Sequence, residues 1–273
     1  METGLRATVF LGGGRITSAL VAGLQLAKYD KSIVVHDRNP SKLRQLEKLH
    51  SVIIESDLRR AVERAGLLIV AVRPDSVSGL LCEIGLLGIE DPPRPLTLVS
   101  LAAGIPLSKL RARLLSSAHC ARAMPSPVSR SGRGLTAVTF DRAFPRGAKR
   151  EAKALFEKVG GVIDIPENQF DAFTVNYSSS HGYHALEALA ASAQKLGLNR
   201  KTALTAAAHA LADGIVSWRE GRIPLDRLLH EAATPGGIAW ATMNAMDSSG
   251  YKRSIQRGLQ AGMAQARKNG RRA

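Results

Sequence analysis

The sequence predicts an α/β chain, with a doubly wound parallel sheet over residues 1–165 followed by an all-α region over residues 166–273. Three observations carry that assignment. In the first half, short β-branched runs alternate with helical stretches of about ten to fifteen residues, the pattern of βαβ units. The first unit turns on Gly12, Gly13 and Gly14. From Asn168 onward the β-branched runs stop, alanine becomes abundant, and apolar residues recur at helical spacing.

Thr8–Leu11 forms the first strand, and apolar or small positions then recur at Ile16, Ala19, Leu20, Gly23, Leu24 and Ala27, one face of a helix. A second strand at Ile33–Val35 leads into a helix through Leu43, Leu46 and Leu49. Strands at 52–54 and at 67–72 (LLIVAV) flank a helix around Leu58–Arg64, and Arg73-Pro74 closes the second of them. Further strands are predicted at Leu96–Leu101, in a stretch ending at Met124-Pro125, at Thr136–Thr139 and at Val162–Ile165. In the second half Leu186, Leu189, Ala193 and Leu196, then Leu204, Ala208 and Leu211, mark helix faces. Gly197, Gly221 with Pro224, and Pro235-Gly236-Gly237 punctuate them into about five helices. Helices so rich in alanine bury little against one sheet. They suit a tightly packed bundle, and a homodimer or a ring of dimers is expected.

At 273 residues the chain has room for two domains. The formal charge of +15 would suit a polyanionic partner if it were gathered on one surface. Instead Arg59-Arg60, Arg111, Arg113, Arg130, Arg133 and the tail Lys268, Arg271 and Arg272 lie in separate segments. With aromatics at 4% there is no stacking platform among them, so neither a specific nucleic acid nor a membrane is the expected partner. Cys82 and Cys120 are far apart and belong to no CxxC or Cys/His cluster, which argues against a disulfide framework and against a metal site. The start of the chain has no signal-peptide pattern and the longest wholly apolar run is LLIVAV. A soluble, cytoplasmic protein is expected.

The glycine turn reads Gly12-x-Gly14-x-x-Thr17, so a β-branched residue stands where the third glycine of a dinucleotide fingerprint belongs. The context supplies what the motif lacks. It follows a strand, opens a helix, and Asp37 lies 23 residues past Gly14 at the end of the second strand, where a ribose-binding acid belongs. Backbone N–H groups of Gly13, Gly14 and Arg15 are expected to face a pyrophosphate at the helix N-terminus. The sheet is therefore of Rossmann type, a purely structural turn being the alternative. Asp37 favours NADH, whereas Arg38, with Asn39 and Lys42 nearby, keeps NADPH open.

Together FLGGGRI, VVHDRNPSKL, IVAVRP, VSLAAGI, RAMPS, GRGLTAV and TPGGIAW with AMDSSGY stand in an order and spacing that resembles the pyrroline-5-carboxylate reductase family, from about residue 8 to 265. The resemblance implies a Rossmann domain followed by a helical dimerisation domain. It also implies reduction of the C=N bond of pyrroline-5-carboxylate, with NADPH or NADH, to give proline. It assigns Leu11, Gly12, Gly13, Gly14, Arg15 and Ile16 to the pyrophosphate loop, and Asp37 and Arg38 to the adenosine ribose. Ala71, Val72, Arg73 and Pro74 stand where the family has Ala-Val-Lys-Pro lining the cofactor; Ala102, with Ala103 and Gly104, closes the nicotinamide side, and Met124 and Pro125 lie behind the ring.

The substrate half departs from the family pattern. Ser126-Pro127-Val128 replaces Asn-Thr-Pro, Tyr177-Ser178-Ser179-Ser180-His181-Gly182-Tyr183 replaces Ser-Gly-Ser-Gly-Pro-Ala-Tyr, and Thr234-Pro235-Gly236-Gly237-Ile238-Ala239 replaces Ser-Pro-Gly-Gly-Thr-Thr. Thr234, Gly236, Gly237, Ile238 and Ala239 are the expected substrate residues, the glycine turn offering N–H groups to a carboxylate. Ala239 removes the hydroxyl expected to hydrogen-bond the imine nitrogen. A positioned acid is typically worth about 10² to 10⁴-fold, so turnover is expected to slow unless another group substitutes, and His181, Tyr177 and Thr242 are the candidates, with Ser178 beside them, plain helix-face positions being the alternative. A divergent paralogue acting on another imine or a carbonyl, and a cofactor-binding protein with little turnover, are the alternatives.

Overall fold

A computed structural model of the chain describes residues 6–87, 96–114 and 118–272. Two compact units partition it: one runs to Tyr177 and takes back the chain from Gly262, and the other is Ser178–Ala261.

The first unit is built on eight strands, β1 (Ala7–Leu11), β2 (Ile33–His36), β3 (Ile53–Ile54), β4 (Ala65–Val70), β5 (Thr97–Ser100), β6 (His119–Met124), β7 (Gly134–Phe140) and β8 (Gly160–Asp164). Their order across the sheet is β3-β2-β1-β4-β5-β6-β7-β8. The chain grows outward from β1 to β3 and then returns to place β4 on the other flank of β1, so the order reverses between β1 and β4. In open α/β sheets that reversal is where ligands bind, outside the carboxyl ends of the strands.

Central strands read as continuous apolar runs because helices cover both faces. On one face Val62, Val77, Leu80, Leu81, Leu107 and Leu110 pack with Val9, Leu11 and Leu68. These helical residues come from α3 (Leu58–Glu63), α4 (Pro74–Leu86) and α5 (Leu107–Arg111). On the other face α1 (Arg15–Leu26), α2 (Pro40–Leu49) and α6 (Arg146–Glu157) contribute Leu20, Leu24, Leu43, Leu46, Leu155 and Phe156 against Phe10, Val35 and Ile69. Helix α1 also crosses the 3-10 turn Pro127–Ser131 so closely that a Cβ at Gly23 would lie 2.1 Å from the Ser129 carbonyl oxygen.

Three sequence expectations need adjustment. Strand β4 spans Ala65–Val70 rather than 67–72, leaving Ala71 and Val72 in the loop that turns into α4 at Pro74. The sheet has one antiparallel pair, β6 with β7, because the link over 125–133 is too short for a parallel crossover. The last part of the chain holds six helices rather than five: α7 (Glu167–Asn176), α8 (Ser179–Lys195), α9 (Arg200–Gly221), α10 (Leu225–Ala232), α11 (Ile238–Ser248) and α12 (Tyr251–Arg272). The breaks beyond those predicted fall at Ser178, whose side chain caps α8, and at Gly250, whose φ of +86° ends the run before α12.

Within the second unit α8 and α9 meet through Ala190, Ala203 and Ala207, with Leu186 and Ala193 beside them. Side chains this small bury little area, and Leu196, Ile215, Trp218, Leu229 and Ile238 stay exposed in the single chain. Among the described residues no helix is long and apolar enough to cross a membrane.

Candidate coenzyme site

Strand β1 delivers Gly12 to the reversal point of the sheet. Its N–H donates to the His36 carbonyl at 2.7 Å, holding it against the end of β2. Its φ is +114°, and a Cβ there would stand 2.7 Å from the Ala71 carbonyl oxygen, so only glycine lets the turn lie this close to the end of β4. Thr17, fully buried, donates its hydroxyl to the Gly12 carbonyl at 2.5 Å. The residue that breaks the third glycine position therefore ties the turn to the first turn of α1.

Asp37 is held just past the end of β2. Its Oδ2 accepts the Gly13 N–H at 2.8 Å, its Oδ1 accepts the Asn39 N–H at 2.8 Å, and Lys42 Nζ stands 3.5 Å from Oδ2. The Gly13 N–H is thus given to Asp37, and the amides of Gly14, Arg15 and Ile16 stand at the start of α1, where no intrahelical acceptor is in reach. Gly14 is the N-cap of α1, no side chain caps that end, and a Cβ at Gly14 would meet nothing within 4 Å. The first N–H groups of a helix have no intrahelical acceptor and carry its positive dipole end.

Of the predicted coenzyme residues, Leu11, Gly12, Gly14, Asp37, Arg38, Ala71, Val72 and Arg73 line one cleft of about 400 Å³, joined by His36, Lys42, Ser76 and Leu80. Gly13, Arg15 and Pro74 are chain neighbours of those lining residues, and Ile16 lies one residue further along α1. Ala102, buried, follows the end of β5, and Met124 and Pro125 lie at the end of the adjacent parallel strand β6, on the same edge of the sheet. The loop carrying Ala102 is braced by residues far along the chain. Asn269 Nδ2 of α12 donates to the Ala103 carbonyl at 3.3 Å, and Gly104 takes a φ of +78° with its Cβ position 2.6 Å from the Ala266 carbonyl oxygen. Nothing in the local pattern of residues 262–272 announces that return.

Another device that the sequence reading misses lies behind Met124. Arg122, 1% exposed on β6, donates to Glu167 at 3.1 Å and to Asp171, and lies 4.5 Å from the centre of the Phe170 ring. Glu167 Oε1 also accepts the Leu107 N–H at 2.9 Å. One guanidinium thus ties β6, α5 and α7 together. A charge in the middle of the apolar run CARAM is the available signal.

The remaining candidates divide between the units. Tyr177 belongs to the first, where its hydroxyl accepts the Leu135 N–H at 3.0 Å and its ring packs on Phe173. In the second unit His181 sits in the first turn of α8, its N–H donating to the Ser178 carbonyl at 3.1 Å. Thr242 donates its hydroxyl to the Ile238 carbonyl at 2.9 Å within α11. The Thr234–Ala239 segment forms a turn in which the Gly237 N–H donates to the Thr234 carbonyl at 2.9 Å and Gly236 has a φ of +80°. Gly237 then caps α11 with no side-chain bond to its first N–H groups, and Ile238 is 90% exposed. Cys120, on β6, is buried, and burial, then the Asp141 carboxylate, push its thiol up to about 12 against a smaller opposing effect of Arg111.

Residues 167–269 match the family model for pyrroline-5-carboxylate reductase dimerisation, and residues 8–104 match that for NADP oxidoreductase, coenzyme F420-dependent. The pyrroline-5-carboxylate reductase of Thermus thermophilus is 32% identical over 92% of this chain and 94% of its own. The chain belongs to the pyrroline-5-carboxylate reductase family. The reductase of Mycobacterium tuberculosis is 29% identical over 96% of both chains. A crystal structure of the Plasmodium falciparum family member with NADP bound shares the fold with a TM-score of 0.85 over 99% of both chains, at 20% identity. That of the Coxiella burnetii reductase does so with a TM-score of 0.83 over 97% of this chain and 98% of that one.

Proposed function

We infer that this protein is an oxidoreductase that reduces the C=N bond of pyrroline-5-carboxylate to proline with a reduced nicotinamide coenzyme. The observation that carries the reading is the uncapped N-terminus of α1, presented by Gly12 and Gly14 at the reversal point of the sheet, in a chain of this family. The residues fit the coenzyme: the space in front of Gly14 is open, and the cleft beside it leads to the ribose-binding position at Asp37. When bound, the nicotinamide supplies the hydride. The chain supplies the grip on the pyrophosphate through the amides of Gly14, Arg15 and Ile16, and a wall of apolar strand ends at Ala102, Met124 and Pro125.

The substrate carboxylate is assigned to the first amides of α11, behind the Gly236-Gly237 turn, where the helix dipole favours an anion. Ala239 offers that substrate no hydroxyl. His181, Tyr177 and Thr242 remain the candidates to hand a proton to the imine nitrogen, and of these Tyr177 accepts a backbone N–H while keeping its own O–H to donate. Residues 1–165 are proposed as the coenzyme domain and 166–273 as the domain for substrate and dimerisation. The homo-oligomer is supported by the matched dimerisation model and by the exposed Leu196, Trp218, Leu229 and Ile238. Free thiols at Cys82 and Cys120 suit a cytoplasmic location, with no nucleic acid or membrane as partner.

Purified protein given pyrroline-5-carboxylate and reduced coenzyme is expected to form proline, and Ala239→Thr is expected to raise kcat. A second reading, a paralogue acting on another imine, is favoured by Ala239. It gains if pyrroline-5-carboxylate is not turned over while coenzyme still binds and another cyclic imine is reduced.

A further inference from the structure

The cleft beside Gly14 also carries a selection between the two nicotinamide coenzymes. We propose that Asp37, fixed by bonds from the Gly13 and Asn39 amides, makes this protein an NADH enzyme that discriminates against the 2′-phosphate of NADPH. This rests on the assignment of the cleft to a nicotinamide coenzyme.

The two coenzymes differ only at the 2′ position of the adenosine ribose, which carries a hydroxyl in one and a dianionic phosphate in the other. A carboxylate at the end of β2 accepts a bond from the hydroxyl and repels the phosphate. A flexible carboxylate can swing away; Asp37 cannot do so freely. One of its oxygens accepts the Gly13 N–H and the other the Asn39 N–H, each at 2.8 Å, and the side chain is only 12% exposed. Moving it would unpair two backbone amides, one of them in the turn that grips the pyrophosphate. Each oxygen still has a lone pair for a ribose hydroxyl.

The cations that would welcome a phosphate are each matched by a carboxylate. Arg38 is bonded to Glu83 of α4, Lys42 stands 3.5 Å from Asp37, and Arg73 stands 3.7 Å from Asp75. The cleft lining itself holds Arg38, Lys42 and Arg73 together with Asp37, while Glu83 and Asp75 stand outside it as partners of Arg38 and Arg73. Among these charged lining groups Asp37 is the one held by two backbone amides. The Arg38 pair is solvent-exposed and weak, so removing Glu83 leaves a guanidinium able to bind phosphate.

The test is a pair of fluorescence titrations, NADH and NADPH, on the whole protein without substrate, so that turnover plays no part. NADH is expected to bind at least about tenfold more tightly, a like-charge contact costing more than the 1.4 kcal/mol that a factor of ten represents. Asp37→Ser is expected to abolish or invert the ratio. Glu83→Gln, at an exposed position away from the glycine turn, is expected to tighten NADPH several-fold more than NADH. Equal affinities in the unaltered protein, or tighter NADPH, would overturn the proposal while leaving the reductase reading intact. Binding of neither coenzyme would overturn both.

Discussion

Gly12 and Gly14 do different work in the same turn, and two alanine substitutions separate it. In Gly12→Ala the new Cβ would stand 2.7 Å from the Ala71 carbonyl oxygen and 2.8 Å from its carbon, at a φ of +114°. Both obstacles are backbone. A non-glycine residue in such a conformation costs about 1–3 kcal/mol, and forcing the strand ends apart costs about 1–3 kcal/mol more. The sum, about 2–6 kcal/mol, lowers Tm by roughly 5–20 °C for a chain of this size. In Gly14→Ala the φ of −83° suits alanine and nothing lies within 4 Å of the new methyl, so the stability cost stays within about 1 kcal/mol of an altered N-cap. Coenzyme affinity behaves otherwise. The methyl occupies the approach of the pyrophosphate, and losing one charge-assisted bond of about 1.5–3 kcal/mol weakens binding about tenfold to a hundredfold. Thermal unfolding and a coenzyme titration on both variants decide the matter. A Gly12→Ala protein as stable as the unaltered chain, or a Gly14→Ala protein that binds coenzyme equally well, would refute the reasoning.

Arg122→Met is expected to destabilise the first unit by about 3 kcal/mol, below the limit for a fully buried pair because Glu167 and Asp171 are 34% and 27% exposed; adding Glu167→Gln and Asp171→Asn recovers most of that loss in denaturant unfolding. Gly104→Ala, at a φ of +78° and 2.6 Å from the Ala266 carbonyl oxygen, is expected to disturb the loop bearing Ala102 and raise KM for coenzyme, measured by initial rates. A thiol reagent is expected to label Cys82 in the folded protein and Cys120 only after unfolding, because a thiol pushed up to about 12 has almost no thiolate at neutral pH; rapid labelling of both would contradict the burial. Burial, and then Arg130, hold His50 below its ordinary value. The unfolded chain therefore takes up that proton first, and stability falls as pH drops below about 6.5. His50→Gln is expected to flatten the slope in pH-dependent melts.

Much of this is legible in the chain because each signal is local. Alternating apolar runs mark the strands, and the spacing from Gly14 to Asp37 marks two residues that line one cleft. What escapes depends on contacts distant in sequence. The bond from Gly13 to Asp37 is one that the motif alone does not report. Thr17 looks like a defect in the fingerprint until its hydroxyl is seen to reach the Gly12 carbonyl. The return of Asn269 to Ala103 joins residues 166 positions apart, and no periodicity reports a partner that far away. The helix ends at Ser178 and Gly250 escape because a serine cap and a single glycine stand there without the wider turn clusters that mark the other breaks.

A coenzyme gripped by its pyrophosphate at the first strand–helix turn is expected to give its hydride directly to an imine carbon. Coenzyme carrying deuterium at both C4 positions, supplied with pyrroline-5-carboxylate, tests it in a single mass spectrum. The account predicts proline bearing one deuterium at C5, formed only while the enzyme is present. Unlabelled proline, or intact substrate beside a coenzyme that demonstrably binds, would contradict it.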